Sequence, residues 1–307
     1  VIRSMIKSKW SKGIMTKSKN LIFFGNERLA SAVTTKLPIL KAIKPMVAAV
    51  IVSQKEATGR KNRYLEIASA GLPIYSLDEL DTVLQTTKAE AGVLAAFGKI
   101  VPEKVIQAFP KGIINVHPSL LPRYRGSTPI ETAILNGDNK TGVSLMALDK
   151  GMDTGNIYVQ QEISISSETK QELADKLDSL AARMLEENIE DILNGKLKPS
   201  PQKGEPSYTQ RLGKQMSEID WDKSAIDIER QIRAYLGWPG SKTELAGVET
   251  SITKVSVIEK QGKPGTTFVH NKKPAIYCGQ DALVLEELKP SGKSSMSGQS
   301  FLNGYSL

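Results

Sequence analysis

Between Gly112 and Gly155 the chain reads GIINVHPSLLPRYRGSTPIETAILNGDNKTGVSLMALDKGMDTG, a pattern few folds accommodate. Ile113, Ile114 and Val116 make a run short enough for one buried strand, so Asn115 and His117 fall on the same face, two residues apart. Pro118 and the stretch from Pro122 to Gly126 cannot continue a ladder. The chain must turn away at the strand's carboxyl end, the edge at which open α/β sheets bind ligands. A helix is then expected, with Thr128 as N-cap, Pro129 as its first residue, Glu131 as the return partner of a capping box, and Asn136-Gly137 at its close. A further strand, 141–148, leads to Asp149 and the turn 150–155, which is expected to bring Asp153 back to the strand end that carries His117.

The same alternation extends in both directions. Strands are expected at 21–25, 46–53, 72–75 and 91–97, and helices at 28–37 and 64–70. This order argues for an α/β domain with a mostly parallel, Rossmann-like sheet covered by helices. A longer helix from Thr169 to Asn194 carries Leu173, Leu177, Leu180, Met184, Ile189 and Ile192 on one stripe and stops at Gly195. The stretch 195–206, GKLKPSPQKGEP, reads as a linker. Beyond it come one helix, 225–236, and short alternating segments at 242–245, 250–258, 266–270, 275–278 and 282–288, which suggest a small β-barrel. The expected organisation is a basic disordered extension at 1–18, a catalytic domain at 19–194, the linker, and a carboxyl-terminal domain at 207–307.

Asn115-x-His117, the run SLLPRYRG from Ser119 to Gly126, and Asp153-Thr154-Gly155 resemble the signature of folate-dependent formyltransferases. Three separated elements occur in the right order with compatible spacing. The likeness continues through Leu21-Ile22-Phe23-Phe24-Gly25, Ala96-Phe97-Gly98, Ile219-Asp220-Trp221, Arg233-Ala234-Tyr235, Trp238-Pro239 and Phe301-Leu302-Asn303-Gly304. Over residues 20 to 307 the pattern is similar to the methionyl-tRNA formyltransferase family. The resemblance implies an OB-like carboxyl-terminal barrel. It also implies a folate site near Ala96, Phe97, Gly98, Ser119, Leu120, Leu121, Pro122, Leu148 and Asp149, with 10-formyltetrahydrofolate as co-substrate and no metal. Relatives that act on initiator tRNA carry a long basic loop after the second strand. Here the corresponding stretch, QKEATGRKNRY at 54–64, is shortened but keeps Lys55, Arg60, Lys61 and Arg63. Arg60, Lys61 and Arg63 are the expected tRNA contacts, and a solvated loop is the plain reading of the same residues.

Composition constrains less. The net charge of +8 is concentrated at the front, where residues 1–19 hold six Lys or Arg and no acid, so the remainder is close to neutral. Met15 precedes the first strand as a start residue would, and residues 1–14 read as an upstream extension with too little apolar content for a secretory signal. Cys278 is the sole cysteine, which excludes an internal disulfide and fits a reducing, cytoplasmic setting. His117 and His270 are the only histidines, so a multi-histidine metal site within one subunit is excluded. The segment after the first strand, GNERLA, lacks dinucleotide glycine spacing, and no Gly-Lys-Ser/Thr phosphate loop occurs.

The chemistry of formyl transfer asks for three things: a donor to a tetrahedral oxyanion, a proton carrier, and a group that orients the carrier. Asn115 offers a non-titrating amide N–H, His117 a second donor and proton relay, and Asp153 a carboxylate to fix the ring and help deprotonate the amine. The resemblance assigns the same positions to the same tasks. Each has a plainer role available: a structural histidine, an aspartate that caps its own turn, and, at Arg123 and Arg125, a solvated turn or a substrate contact. The expected activity is formyl transfer from 10-formyltetrahydrofolate to the amino group of initiator Met-tRNA by a monomer without membrane attachment. The alternatives are a formyltransferase for an amino-sugar nucleotide and a non-catalytic tRNA-binding relative.

Overall fold

The computed structural model describes residues 21–25, 38–52 and 71–307. The basic extension, the helices expected at 28–37 and 64–70, and the loop with Arg60, Lys61 and Arg63 lie outside the described residues. The chain forms two compact units, Val1–Asn115 and Val116–Leu307.

In the first unit, strands β1 (Leu21–Gly25), β2 (Val47–Val52), β3 (Ile74–Ser76), β4 (Ala91–Ala95) and β5 (Ile113–His117) alternate with helices α1 (Pro38–Ile43), α2 (Leu80–Thr87) and α3 (Glu103–Gln107). β5 runs on across the unit boundary. β1 pairs in parallel with β2 on one side and β4 on the other, and β2 pairs in parallel with β3. All five residues of β1 and of β4 are buried, the mark of strands covered on both faces. Phe24 stands at the centre of this core, with Phe97 and Phe109 edge-on to its ring at 5.6 and 5.8 Å. Strand order reverses between β1 and β4, so the residues just after β4, Ala96 to Gly98, lie at a topological switch point.

The second unit adds α4 (Pro129–Leu135), β6 (Lys140–Ala147), β7 (Ile157–Ser164) and α5 (Lys170–Leu193). From β5 the sheet of this unit continues to β6 and then β7. β7 is antiparallel to β6, an edge hairpin partner that the helix-strand alternation did not foretell. α5 packs on β6 and β7 through Leu173, Leu177, Leu180, Met184, Ile189 and Ile192, all of them buried. Its start is fixed by a capping box: the Thr169 hydroxyl accepts from the Glu172 N–H, and the Glu172 carboxylate accepts from the Thr169 N–H at 2.9 Å.

The capping box expected at α4 is not formed. Pro129 stands first in the helix as expected, but Thr128 sits at φ −134°, ψ 44°, outside the extended region a cap requires. Its hydroxyl donates instead to the Gln210 carbonyl at 2.7 Å, and Glu131 pairs with Lys170 at 3.5 Å. Long-range partners have taken both groups from the local motif.

The carboxyl-terminal part of this unit comprises α6 (Ala225–Tyr235), β8 (Lys242–Leu245), β9 (Val248–Ile258), β10 (Thr267–His270), β11 (Lys273–Tyr277), β12 (Ala282–Pro290), β13 (Met296–Ser297) and α7 (Gly298–Leu302). The strands make a curled antiparallel sheet of order β10-β11-β12-β9-β8, with β13 on β12. Ile228, Ile232, Ile252, Leu283, Leu285 and Phe301 form its core, and Cys278 is buried among them. α6 also packs against α4. Arg233 Nη1 donates to the Glu168 carbonyl at 2.9 Å, and Lys170 Nζ to that of Trp238 at 3.2 Å.

Candidate active site

Asn115 and His117 share one face of β5, and both are buried, at 5% and 4% exposure. Pro118 and Ser119 follow the strand before the turn, and Ser119 is fully buried. His117 Nε2 lies 2.9 Å from the carbonyl oxygen of Tyr124. A carbonyl only accepts, so Nε2 carries the proton in that bond and Nδ1 is the nitrogen turned towards Asp153. Asp153 Oδ1 is 3.6 Å from Nδ1, within ion-pair range and slightly beyond a direct hydrogen bond.

The loop between β5 and α4 is held from several sides. Ser119 Oγ donates to the Arg123 carbonyl at 2.6 Å, closing the turn onto its own start. Ser144, buried in β6, donates to the Ser119 carbonyl at 2.6 Å and accepts from the Leu121 N–H at 3.2 Å. Gln160 of β7 donates to the Leu121 carbonyl and to Ser144 Oγ, both at 2.8 Å. The backbone of Ser119 to Pro122 is thus fixed by one small hydroxyl and one amide on neighbouring strands. Tyr124 lies at φ +60°, a left-handed conformation sustained by its surroundings. Its hydroxyl donates to Asp138 at 2.6 Å and accepts from Asn136 at 2.9 Å. Burial, and then the bond to Asp138, hold the phenol above its ordinary value.

The turn after β6 gives its two aspartates different partners. Asp149, not Asp153, organises it: its carboxylate accepts from the Gly151 N–H at 3.1 Å and from Thr154 Oγ1 at 2.8 and 2.9 Å. Asp153, at φ +52°, directs Oδ2 to the backbone N–H of Gly126 at 2.8 Å and Oδ1 to His117. The plain turn-capping role therefore belongs to Asp149.

The remaining expected residues are placed as follows. Ala96 and Gly98 have φ +49° and +74°, so the backbone folds sharply at the carboxyl end of β4, and Phe97 is buried beneath it. Leu148 lies just past the end of β6. Arg123 pairs with Asp138 at 3.0 Å, and Arg125 donates to Gln202 and Tyr208. Both arginines thus have side-chain partners, while the Arg123 side chain stays 54% exposed. Among the described residues no group of three His, Cys, Asp or Glu side chains is placed to hold a metal, and no helix is long and apolar enough to cross a membrane.

A formyl transferase family model matches residues 19–189, and the formyl transferase C-terminal domain matches 211–306. Methionyl-tRNA formyltransferases of Dictyoglomus turgidum and Thermodesulfovibrio yellowstonii are 35% and 32% identical, each over 94% of this chain and 96% of its own. The chain belongs to the methionyl-tRNA formyltransferase family. It is a formyl-transferring enzyme of that family. Among solved structures, an N-formyltransferase from Helicobacter canadensis in complex with folinic acid and dTDP-3-aminofucose shares the fold. Its TM-score is 0.64 at 21% identity, covering 88% of this chain and 99% of that one. HypX from Aquifex aeolicus in complex with tetrahydrofolic acid aligns with a TM-score of 0.63 at 15% identity, over 93% of this chain and 47% of that one.

Sequence reasoning missed the residues through which this family member supports its site from a distance. Ser144 and Gln160 are two; a serine within an otherwise apolar strand was the one signal available for Ser144. The others lie on the connection to the carboxyl-terminal part. Ser200 exchanges both backbone bonds with Ile157 at 2.8 and 2.9 Å, the Ser207 carbonyl accepts from the Arg125 N–H at 2.8 Å, and the Thr209 N–H donates to the Arg125 carbonyl at 2.8 Å. Ser207 Oγ accepts from the Tyr124 N–H at 2.9 Å. No local pattern in 195–210 announces these pairings.

Proposed function

We propose that this enzyme transfers the formyl group of 10-formyltetrahydrofolate to the amino group of methionyl-initiator tRNA, in the cytoplasm. The observation that carries the reading is identity of 32–35% along 94% of the chain to proteins named methionyl-tRNA formyltransferase. The chemistry of the strand end supports it. The methionyl amine attacks the formyl carbon, a C–N bond forms, and the carbonyl oxygen becomes an oxyanion. Asn115 donates its amide N–H to that oxygen, joined by the Nδ1–H that His117 carries once its ring is protonated on both nitrogens. The amine, having become cationic, loses a proton to Asp153 directly or through water. The folate nitrogen takes up a proton relayed by His117 as its bond to the formyl carbon breaks. Protons and charge balance without a metal. The folate is assigned to the backbone at Ala96 to Gly98, the loop from Ser119 to Pro122, and Leu148 to Asp149. The tRNA is assigned to Arg60, Lys61 and Arg63.

The test is formyl transfer from 10-formyltetrahydrofolate to purified Met-tRNA, run beside a panel of amino-sugar nucleotides. Transfer to Met-tRNA with a steep fall in affinity as salt rises is expected, because each neutralised phosphate releases counterions. Charge reversal at Arg60 and Arg63 should flatten that slope and leave folate binding intact. Efficient transfer to a sugar nucleotide with none to Met-tRNA overturns the reading. Activity on neither would favour a non-catalytic tRNA-binding protein.

A further inference from the structure

Gln202 lies on the connection that reads in the sequence as a plain linker, yet its side-chain amide is used at both ends. Nε2 donates to the carbonyl oxygens of Asp153 at 2.8 Å and Gly155 at 2.9 Å. Oε1 accepts from Arg125 Nη2 at 2.7 Å and Nε at 3.2 Å. One side chain therefore ties the turn that bears Asp153 to the loop that bears Tyr124 and Gly126. Both are the loops whose groups contact His117 and Asp153. The backbone around Gln202 is fixed on either side, by the Ser200–Ile157 pair and the Ser207–Arg125 bond. Four hydrogen bonds, two of them from a guanidinium, outweigh the entropy of ordering one glutamine side chain. A side chain in solvent has no reason to adopt this geometry.

The bonds fall where they matter. Asp153 lies at φ +52°, a conformation a non-glycine residue keeps only when its neighbours enforce it, and its own carbonyl is one of the two that Gln202 holds. A shift of this turn moves Asp153 away from His117, and their 3.6 Å separation leaves little tolerance before the pair is lost.

We propose that Gln202 is a positioning residue for Asp153, so that the connection between the two family domains, and not the catalytic domain alone, completes the site. The proposal rests on the assignment of His117 and Asp153 to the reaction. Its test includes a readout that needs no substrate. The chain has two histidines, His117 and His270, so selective isotope labelling yields two resolvable ring systems. Two full-length variants are compared with wild type at one pH. Gln202→Glu keeps the Arg125 contact and removes the N–H donors; Gln202→Met keeps volume and removes both. In each, the His117 ring resonances should move towards those of Asp153→Asn while those of His270 stay. In formyl transfer, kcat should fall about tenfold or more with KM for both substrates within about twofold. The loss should largely vanish when the same change is made in Asp153→Asn, because a residue acting through Asp153 has nothing left to position. His117 resonances unchanged in either variant, or an undiminished loss in the Asp153→Asn background, overturn the proposal. Absence of wild-type transfer to Met-tRNA would instead refute the acceptor assignment, and the ring resonances would still report on Gln202.

Discussion

Oδ2 of Asp153 accepts the backbone N–H of Gly126 at 2.8 Å, and Gly126 lies two residues beyond Tyr124, whose carbonyl takes the Nε2 proton of His117. The loops that leave β5 and β6 thus hold one another through the two side chains assigned to proton transfer. Asn115→Ala, His117→Ala and Asp153→Asn should each lower turnover by about a hundredfold or more with little change in thermal midpoint. A double variant should lose less than the product of the single losses. Near-normal turnover for any one of them would remove that residue from the site.

Tyr124 supports His117 through its backbone, while its hydroxyl serves the Asp138 and Asn136 network. Tyr124→Phe should therefore cost about 1.5–3 kcal/mol in chemical denaturation, the net worth of a hydrogen bond to a charged group, and leave kcat nearly unchanged. Ser207→Ala releases the backbone N–H of the same residue and should show the reverse balance, a several-fold fall in kcat at small stability cost. Equal kinetic effects in the two variants would show that backbone and side chain are not separable here.

Gly155 follows the Asp153 turn, and a Cβ there would overlap the carbonyl oxygen of Ala147. Backbone cannot yield as a flexible side chain can. Gly155→Ala should displace the turn, with about 2 kcal/mol or more lost in stability and a fall in turnover approaching that of Asp153→Asn. Retention of both would mean that the β6 end relaxes without moving Asp153.

Burial pushes the Cys278 thiol up to about 11. The folded state therefore holds the thiol proton more tightly than the unfolded chain, whose thiol titrates at about 8.5. The sign follows: this contribution is fully present below the unfolded value and is lost as pH rises through the folded one. Urea unfolding from pH 8 to pH 10.5 should show wild type losing more stability than Cys278→Ala over that window, the difference isolating the thiol from tyrosines that titrate nearby. Thiol-directed labelling at neutral pH should be slow until the carboxyl-terminal core opens.

What the sequence determined is what lies within a few residues of itself. The two-residue period of β5 put Asn115 and His117 on one face, the leucine and isoleucine stripe of 170–193 required a packed helix, and alternation after 240 required an antiparallel sheet; each is a local pattern with one low-energy solution. The order of motifs also gave Asp153 its return to His117. Tertiary structure decided which carboxylate caps its turn and which faces His117, because Asp149 and Asp153 look alike in sequence and differ only in the directions their backbones take. It took Thr128 and Glu131 from their capping box by offering Gln210 and Lys170. It also turned a stretch rich in proline and glycine into a strap bonded to both site loops, since Gln202 meets Asp153 and Arg125 across separations of 49 and 77 residues. A hydrogen bond has no sequence range: its partners are chosen by whichever buried donors and acceptors the packed elements leave to be satisfied.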